Sequence, residues 1–315
     1  MGIYKDLIIL FIGIFAIIKS ADLFTSASES IAAFFKIPRS IVGLTIVSIA
    51  TTMPEFAVSA CSSYMNVDGI AVGNATGSCL ANIGFILGVA AVIGTVKLNQ
   101  RTVNQELKLL CLIGLFLLAL MWDGSLSFID GFILTLVMFG FFVFIIMRQL
   151  KSKQTDDQES GSINTIKKDI IKFIVGAAGV VIAAKYAIIP SGTAVAEFLK
   201  VPTIVIAVSM IAVGTSLPEL VTAVIASRKK MGDLAAGNVI GASVLNISWV
   251  LGCSAMINPL TIDIQTKMIT MPLVIVFSFL IYIFTRKDCA ITKNEGIIFI
   301  SCYIAYIIYI VKFAY

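Results

Sequence analysis

The sequence predicts an all-α integral membrane protein with ten transmembrane helices, arranged as two inverted five-helix repeats. Three observations lead to this prediction. Hydrophobic residues make up 59% of the 315 residues and charged residues only 13%, about half the charged share of a soluble domain. Apolar runs long enough to cross a bilayer recur along the whole chain. Two groups of polar motifs repeat at a constant distance, one in each half of the chain.

Ten apolar runs are predicted to cross the membrane, since a spanning helix needs about 20 mostly apolar residues. We place the spans at residues 6–24, 40–64, 70–94, 106–122, 127–148, 169–190, 203–227, 234–257, 267–285 and 295–313. Little chain is left for a soluble domain, which excludes an ordinary cytosolic enzyme and a nucleic-acid-binding protein. We expect the lipid bilayer to surround the molecule, and we expect no obligatory protein partner.

Charge predicts the topology. The long polar stretch at residues 151–168 is interpreted as a linker between a first repeat at 1–150 and a second at 169–315. When the loops are numbered along the chain, the odd-numbered loops and the span ends beside them hold 17 of the 23 lysines and arginines. Cytoplasmic loops carry an excess of basic residues. The linker is therefore predicted to be cytoplasmic and both termini to lie outside a cell membrane.

An internal repeat relates the two halves at an offset of 164 residues. The segment TTMPEF at 51–56 matches TSLPEL at 215–220, and GNATGSCLANIGFILG at 73–88 matches GNVIGASVLNISWVLG at 237–252. No gap is needed between residues 32 and 93. Polar residues and prolines that recur in one register inside apolar helices indicate a duplication.

The second copy is predicted to be inverted in the bilayer, because five spans per copy is an odd number. The loop at 65–69 has no basic residue, whereas its counterpart contains Arg228, Lys229 and Lys230. Equivalent loops are thus expected on opposite faces of the membrane. Inverted repeats are typical of secondary transporters, whose binding site lies near the midplane where the repeats meet.

Glu55 and Glu219 are the acidic residues placed deepest in apolar spans. A charged carboxylate at the centre of a membrane helix costs about 2.5–3.5 kcal/mol on insertion scales. They could be helix-end carboxylates that reach the interface, but both copies keep the residue at the same depth. We therefore interpret the pair as ligands for a cation.

Oxygen-bearing groups surround each glutamate on its own helix. Ser48, Thr51 and Thr52 precede Glu55 on the same helical face, and Ala212, Thr215 and Ser216 occupy the equivalent places before Glu219. Pro54 and Pro218 have no N–H, which leaves a backbone carbonyl without its helical donor. Carboxylates, hydroxyls and carbonyls together form an all-oxygen site, which suits a hard cation.

The second motif of each half places three residues at four-residue spacing on one helical face, and the first and third of them have amide side chains. They are Asn74, Ser78 and Asn82 in the first half, and Asn238, Ala242 and Asn246 in the second. An amide oxygen coordinates a cation without adding charge. Asn74 and Asn238 have an alternative role, which is to join helices by hydrogen bonds. The glycines of these motifs are interpreted as contact points where helices approach each other closely.

The remaining composition excludes several kinds of chemistry. The chain has no histidine, and its six cysteines are scattered without a CxxC pair. We therefore predict no cofactor, no soft-metal site and no disulfide framework. The two glutamates are not accompanied by a nucleophile and base, so the sequence does not predict an enzyme.

At these motifs the sequence resembles the sodium/calcium exchanger family of the calcium/cation antiporters, in its prokaryotic form. The motifs are SIATTMPE with GNATGSCLAN, and AVGTSLPE with GNVIGASVLN. The resemblance implies exchange of Ca²⁺ for Na⁺ by alternating access, with the first and sixth helices sliding across the core. It also implies a central ligand set of Glu55, Asn82, Glu219 and Asn246, flanked by Thr51, Thr52, Ser78, Thr215 and Ser216 and by the carbonyls of Ser48 and Ala212.

Four positions depart from the family pattern and leave the coupling ion open. Ala50 stands where the first motif usually has glycine and Thr52 where it usually has serine, Ala242 replaces an expected serine, and Asn246 stands where some prokaryotic relatives have an acid. Proton/calcium exchange is therefore the alternative to Na⁺/Ca²⁺ exchange, since glutamates can carry protons. A cation channel would use the same ligands, but inverted repeats favour a carrier.

Overall fold

The computed structural model describes residues 2–34, 43–151, 163–199, 211–228 and 230–313. Within these ranges the chain is almost entirely helical. The helices of the first half are α1 (Gly2–Phe34), α2 (Gly43–Tyr64), α3 (Asp68–Ile93), α4 (Thr102–Asp123) and α5 (Phe128–Lys151). Those of the second half are α6 (163–198), α7 (Ala212–Thr215), α8 (Leu217–Arg228), α9 (Gly232–Ile257), α10 (Thr266–Asp288) and α11 (Lys293–Phe313).

Four two-residue strands, which no sequence pattern indicated, join the loops of the two halves. Strand β1 (Val96–Lys97) pairs antiparallel with β4 (Ala290–Ile291), and β2 (Ser125–Leu126) pairs antiparallel with β3 (Leu260–Thr261). Each pair therefore connects one half of the chain to the other. These ladders fix the loops at two places outside the helices.

Among the described residues, seven helices are long and apolar enough to cross a membrane, namely α2, α3, α4, α5, α9, α10 and α11. The prediction of an all-α membrane protein is confirmed. Two more predicted spans, 6–24 and 169–190, lie within α1 and α6. The span at 203–227 falls on α7 and α8 from residue 211 onward, while 203–210, like 40–42 of the second span, lies outside the described residues.

Burial separates an inner group of helices from an outer group. The apolar windows of α2, α3 and α9 are 71–78% buried, whereas those of α4, α5, α10 and α11 are only 28–39% buried. The outer helices expose large apolar side chains such as Leu112, Phe139 and Phe279. In water this surface would cause aggregation, but in a bilayer it faces lipid. The polar motifs lie on the inner helices.

Helix starts recur in pairs that follow the internal repeat. The side chain of Asn99 accepts a hydrogen bond from the backbone N–H of Thr102 (2.6 Å) at the start of α4. Asp263 does the same for Thr266 (2.8 Å) at the start of α10. Asparagine and aspartate are favoured N-cap residues because they satisfy the free N–H groups of the first turn. The repeat register therefore extends beyond residue 93, where the sequence match ends.

Serine side chains make reciprocal contacts between the halves. The hydroxyl of Ser63 donates to the carbonyl of Ser254 (2.7 Å), and the hydroxyl of Ser227 donates to the carbonyl of Ala90 (2.7 Å). Both members of the second pair lie 164 residues from their counterparts. The ends of α2 and α8 are thus attached to the opposite half by equivalent bonds.

Glycines allow the outer helices to approach the inner ones closely. A Cβ atom placed on Gly88 of α3 would lie 2.9 Å from the carbonyl oxygen of Gly296 in α11. One placed on Gly252 of α9 would lie 2.8 Å from the carbonyl oxygen of Gly131 in α5. These distances are too short for real Cβ atoms, so both contacts require glycine. Small residues serve the same purpose in other membrane bundles.

Substitution of Gly252 by alanine is therefore expected to destabilise the protein. The added methyl group would meet the hydroxyl of Thr135 as well as the backbone carbonyl of Gly131, and such overpacking typically costs about 1–3 kcal/mol. Thermal unfolding of the purified protein in detergent measures the effect. The matched control is Gly140→Ala in α5, where nothing lies within 4 Å of the added atom. An unchanged melting temperature for Gly252→Ala would contradict the close contact.

Candidate functional site

Two buried carboxylates form the centre of the site. Glu55 lies in the middle of α2 and Glu219 in the first turn of α8, and both side chains have no exposed surface. They are close enough for their charges to interact. Among the described residues, neither forms an ion pair with a lysine or arginine. An ionised carboxylate in a medium that excludes water is unfavourable unless a positive charge is nearby.

Two asparagines lie in π-helical turns of the inner helices. Asn82 belongs to the π-turn Ala81–Ile86 of α3, and Asn246 begins the π-turn Asn246–Val250 of α9. Both side chains are fully buried, and neither their oxygens nor their nitrogens have a hydrogen-bond partner within the described part of the chain. Such π-turns inside α-helices frequently occur at functional sites. Nothing in the sequence patterns indicated these turns.

The equivalent proline motifs fold differently in the two halves. Helix α2 continues through Pro54, whereas α7 ends at Thr215, Ser216 forms a turn, and α8 begins at Leu217. The proline removes a helical hydrogen bond in each copy, but only the second copy breaks. The interrupted copy has Gly214 where α2 has Ala50, and glycine is the weaker helix former.

The hydroxyls that precede each glutamate also differ in their contacts. The hydroxyl of Ser216 donates to Oε1 of Glu55 across the two halves (2.8 Å). Its counterpart Thr52 has no partner among the described residues, and the same holds for Oε2 of Glu55 and both carboxylate oxygens of Glu219. Four buried oxygen atoms around the two carboxylates therefore lack a hydrogen bond, which is unusual inside a protein.

The two threonines that lie one turn before the glutamates form crossed hydrogen bonds. The hydroxyl of Thr51 lies 3.1 Å from Oδ1 of Asn238, and the hydroxyl of Thr215 lies 3.1 Å from Oδ1 of Asn74. Thr51 also faces the carboxylate of Glu219. The helix-joining role considered for Asn74 and Asn238 is thus present in the structure.

The other predicted ligand positions are those of Ser78, Ser48 and Ala212. The hydroxyl of Ser78 lies 3.3 Å from the carbonyl oxygen of Ala212, while Ser48 directs its own hydroxyl to the carbonyl of Leu44 (2.8 Å). The equivalent of Ser78 is Ala242, which has no hydroxyl. The neighbouring Ser243 does not replace it, because its hydroxyl donates to Val239 within its own helix (2.8 Å).

An aromatic pair beside the site was not predicted from the sequence. The rings of Phe56 and Trp249 stack with centroids 4.3 Å apart and planes 5° apart. Phe56 directly follows Glu55, and Trp249 lies three residues after Asn246. Their counterparts in the other half are Leu220 and Phe85, and Phe85 stacks on Tyr303 instead, with ring centroids 5.8 Å apart. The only indication of this pair in the sequence was that both aromatic residues lie close along the chain to predicted ligands.

This arrangement of atoms is suited to a hard cation. Two carboxylates, two amides and several hydroxyls provide oxygen ligands of the kind that Ca²⁺ and Na⁺ prefer. No group of three or more histidine, cysteine or acidic side chains forms a metal cluster in the described ranges. The six cysteines are all unpaired thiols. Soft metal ions, which select thiolate and imidazole, have no comparable site here.

Comparisons with known proteins relate both sequence and structure to ion exchangers. Residues 5–147 and 168–312 match the sequence model of the family described as sodium/calcium exchanger protein. A solved structure of the sodium-calcium exchanger NCX_Mj, soaked with Na⁺ and without Ca²⁺, superposes with a TM-score of 0.75. The sequences are 26% identical, and the superposition covers 99% of both chains.

Two curated relatives match along most of their length. Sodium/calcium exchanger MaX1 of Methanosarcina acetivorans is 29% identical over an alignment of 348 positions, which covers 96% of this chain and 97% of that protein. Inner membrane protein YrbG of Escherichia coli is 34% identical over 262 residues, which cover 81% of this chain and 81% of that protein.

The buried pair of carboxylates predicts an unusual gain of stability. At pH 8 in sodium-free buffer with a chelator, Glu219→Gln is expected to melt roughly 3 °C or more above the wild type, because an uncompensated charge beside Glu55 is removed and about 1 kcal/mol corresponds to a few degrees. Differential scanning fluorimetry in detergent measures this. Glu197→Gln, at an exposed position of α6, serves as the control and should leave the melting temperature unchanged. A lower melting temperature for Glu219→Gln would contradict this electrostatic description.

Proposed function

Since the chain belongs to the sodium/calcium exchanger protein family, we propose that it is a secondary-active antiporter that exchanges Ca²⁺ for Na⁺ across the membrane. The observation that supports this function most directly is the set of buried oxygen atoms without hydrogen bonds around Glu55 and Glu219. Bulk water does not reach these atoms, and a bound cation would compensate their charge.

The ion ligands are proposed to be the residues that meet between the inner helices. The four central side chains would be those of Glu55, Asn82, Glu219 and Asn246. Hydroxyl ligands would come from Thr51, Thr52, Ser78, Thr215 and Ser216, and carbonyl ligands from Ser48 and Ala212. Ca²⁺ takes six to eight oxygen ligands in flexible geometry, which a set of this size provides.

Charge balance couples the two ions. With both glutamates ionised the site has a charge of −2, which one Ca²⁺ or two Na⁺ neutralise. Because both ions use the same carboxylates, binding of one excludes the other. The empty site retains two uncompensated charges, so its movement across the apolar core is unfavourable. Exchange is therefore favoured over uncoupled leakage.

The architecture proposed for this function is ten transmembrane helices in two inverted repeats, residues 1–150 and 169–315. The reciprocal serine contacts, the paired helix caps and the π-turns at Asn82 and Asn246 support this proposal, since they recur near the 164-residue offset. The distribution of basic residues supports a cytoplasmic linker at 151–168 and termini outside the cell.

Alternating access is proposed to involve movement of α1 and α6 relative to the rest of the molecule. These two helices pack against each other, and a Cβ atom on Gly13 would lie 2.6 Å from Cβ of Ala187. Leu10, Ile17 and Ile188 belong to a small apolar cluster that is separate from the main core and that residues of α2 and α3 also join. Movement of the helix pair would repack this small cluster and leave the main core packed. This motion would expose the site to each side of the membrane in turn.

Uptake of ⁴⁵Ca²⁺ into proteoliposomes tests the proposed function. We expect uptake to require Na⁺ inside the vesicles, and we expect Glu55→Gln and Glu219→Gln each to lower it at least about 100-fold, since loss of a charged ligand costs about 3 kcal/mol or more. Glu197→Gln should transport like the wild type. Robust uptake by Glu55→Gln would contradict the proposal.

The same vesicles distinguish the coupling ions and the carrier from a channel. A Na⁺ gradient should drive uptake, whereas a pH gradient in sodium-free buffer should not. Calcium flux under a pH gradient alone would indicate proton coupling instead. With the membrane potential set by valinomycin, a response of the Na⁺-driven rate to voltage would indicate a third Na⁺. Currents above about 10⁶ ions per second would indicate a channel, since domain-scale motion takes microseconds to milliseconds.

A further inference from the structure

Asn74 and Asn238 are buried, lie in equivalent positions of α3 and α9, and are not among the proposed ligands. Each is hydrogen-bonded to a threonine of the opposite half, Thr215 and Thr51 respectively. Both threonines are proposed ligands. The contacts are crossed, because each asparagine is bonded to the threonine of the half to which the asparagine does not belong.

A threonine hydroxyl has a single proton, so the partner that accepts it determines where the lone pairs of the hydroxyl point. A hydroxyl has one proton to donate and two lone pairs. Oγ1 of Thr215 lies 3.1 Å from Oδ1 of Asn74 and 3.1 Å from the carbonyl oxygens of Ile211 and Ala212. All three atoms are acceptors, so the hydroxyl directs its single proton toward this side. The lone pairs of Thr215 then remain available to a cation near Glu55, whose carboxylate lies within interaction range of Thr215.

We propose that Asn74 and Asn238 are positioning residues that accept the hydroxyl protons of Thr215 and Thr51, so that each threonine presents a lone pair to the transported cation. A threonine free to rotate would instead donate to the neighbouring carboxylate and compete with the cation. This role rests on the proposed function, because it requires a cation at Glu55 and Glu219.

The two positioning residues are not equally well held. Nδ2 of Asn74 donates to the carbonyl oxygen of Glu55 (3.0 Å) and to the hydroxyl of Ser59 (2.9 Å). Ser59 in turn donates to the carbonyl of Ala71 (2.9 Å). A reversed amide would place Oδ1 of Asn74 against the carbonyl oxygen of Glu55. Asn74 is therefore fixed in the orientation that accepts from Thr215.

Asn238 lacks this support. The residue equivalent to Ser59 is Ala223, which has no hydroxyl, and Nδ2 of Asn238 has no partner within the described residues. Its amide group can reverse at lower cost and then donates to Thr51 instead of accepting from it. The proton of Thr51 is thus directed less firmly than that of Thr215. We therefore expect substitution of Asn74 to affect ion binding more than substitution of Asn238.

Double-mutant cycles on the apparent KM for Ca²⁺ in the vesicle assay test the crossed pairing. Asn74→Ala and Thr215→Val should each raise KM about fivefold, the effect of one hydrogen bond. The double variant should be no worse than Thr215→Val, because Asn74 acts through that hydroxyl. The matched control is Asn74→Ala with Thr51→Val, whose effects should multiply. Asn238→Ala should couple to Thr51→Val and raise KM less than Asn74→Ala.

Two milder substitutions test the same role without removing an asparagine. Ala223→Ser supplies the hydroxyl that the second half lacks and should lower KM about twofold, while Ser59→Ala should raise it by about the same factor, since each changes one hydrogen bond to an amide. Both remain informative if Asn74→Ala does not fold. Melting temperatures measured alongside separate a change in stability from a change in KM.

The outcomes separate this role from the proposed function. Lower melting temperatures with an unchanged KM would mean that the asparagines only join helices, and would overturn the positioning role. Effects that multiply in the crossed pairs as well as in the control pair would overturn it too, while wild-type exchange stands. Absence of Na⁺-driven Ca²⁺ uptake by the wild type would overturn the proposed function itself.

Discussion

Two carboxylates without a counter-charge inside an apolar bundle are the constraint on which the rest of the structure depends. Glu55 and Glu219 are completely buried and lie close enough to repel each other. Moving an ion out of water costs several kcal/mol even after relaxation. The surrounding hydroxyls and amides reduce this cost only partly, because several of their atoms and three of the four carboxylate oxygens have no partner among the described residues. A site with this electrostatic balance is stable when a cation occupies it, which is what a transporter requires.

Neither half of the chain can build this site alone. The carboxylate of Glu55 is hydrogen-bonded to Ser216 of the other half, and Thr51 bonds to Asn238 across the same interface. Inner helices packed through small residues hold these groups at contact distance, and outer helices with apolar surfaces separate them from lipid. The near symmetry of the two halves has local exceptions around the two glutamates. The break at Ser216 has no counterpart in α2, and Ala223 stands where the first half has Ser59. Two access states of unequal stability are the expected consequence.

Composition and the internal repeat were sufficient to predict the seven long apolar helices of the described residues and the burial of both glutamates. The 164-residue offset in the sequence was also sufficient to relate Asn82 to Asn246. Other features depend on tertiary contacts and could not be predicted from local sequence. The π-turns that contain the two asparagines form within helices of ordinary apolar pattern. The bond from Thr51 to Asn238 joins residues 187 positions apart, and the stacking of Phe56 on Trp249 depends on the packing of α2 against α9. Identical prolines lie in one continuous and one interrupted helix, so proline alone does not cause the break. Gly214, which stands in the interrupted copy where α2 has Ala50, also weakens the helix there.

The position of a bound divalent cation tests the central claim most directly. Crystals of the protein soaked with Sr²⁺, which is a Ca²⁺ analogue with measurable anomalous scattering, would locate the ion without assumptions about transport. We expect one anomalous peak at about 2.3–2.6 Å from carboxylate oxygens of both Glu55 and Glu219, and we expect excess Na⁺ to displace it. A peak elsewhere, or coordination by only one of the two glutamates, would contradict the claim that both carboxylates share one transported ion.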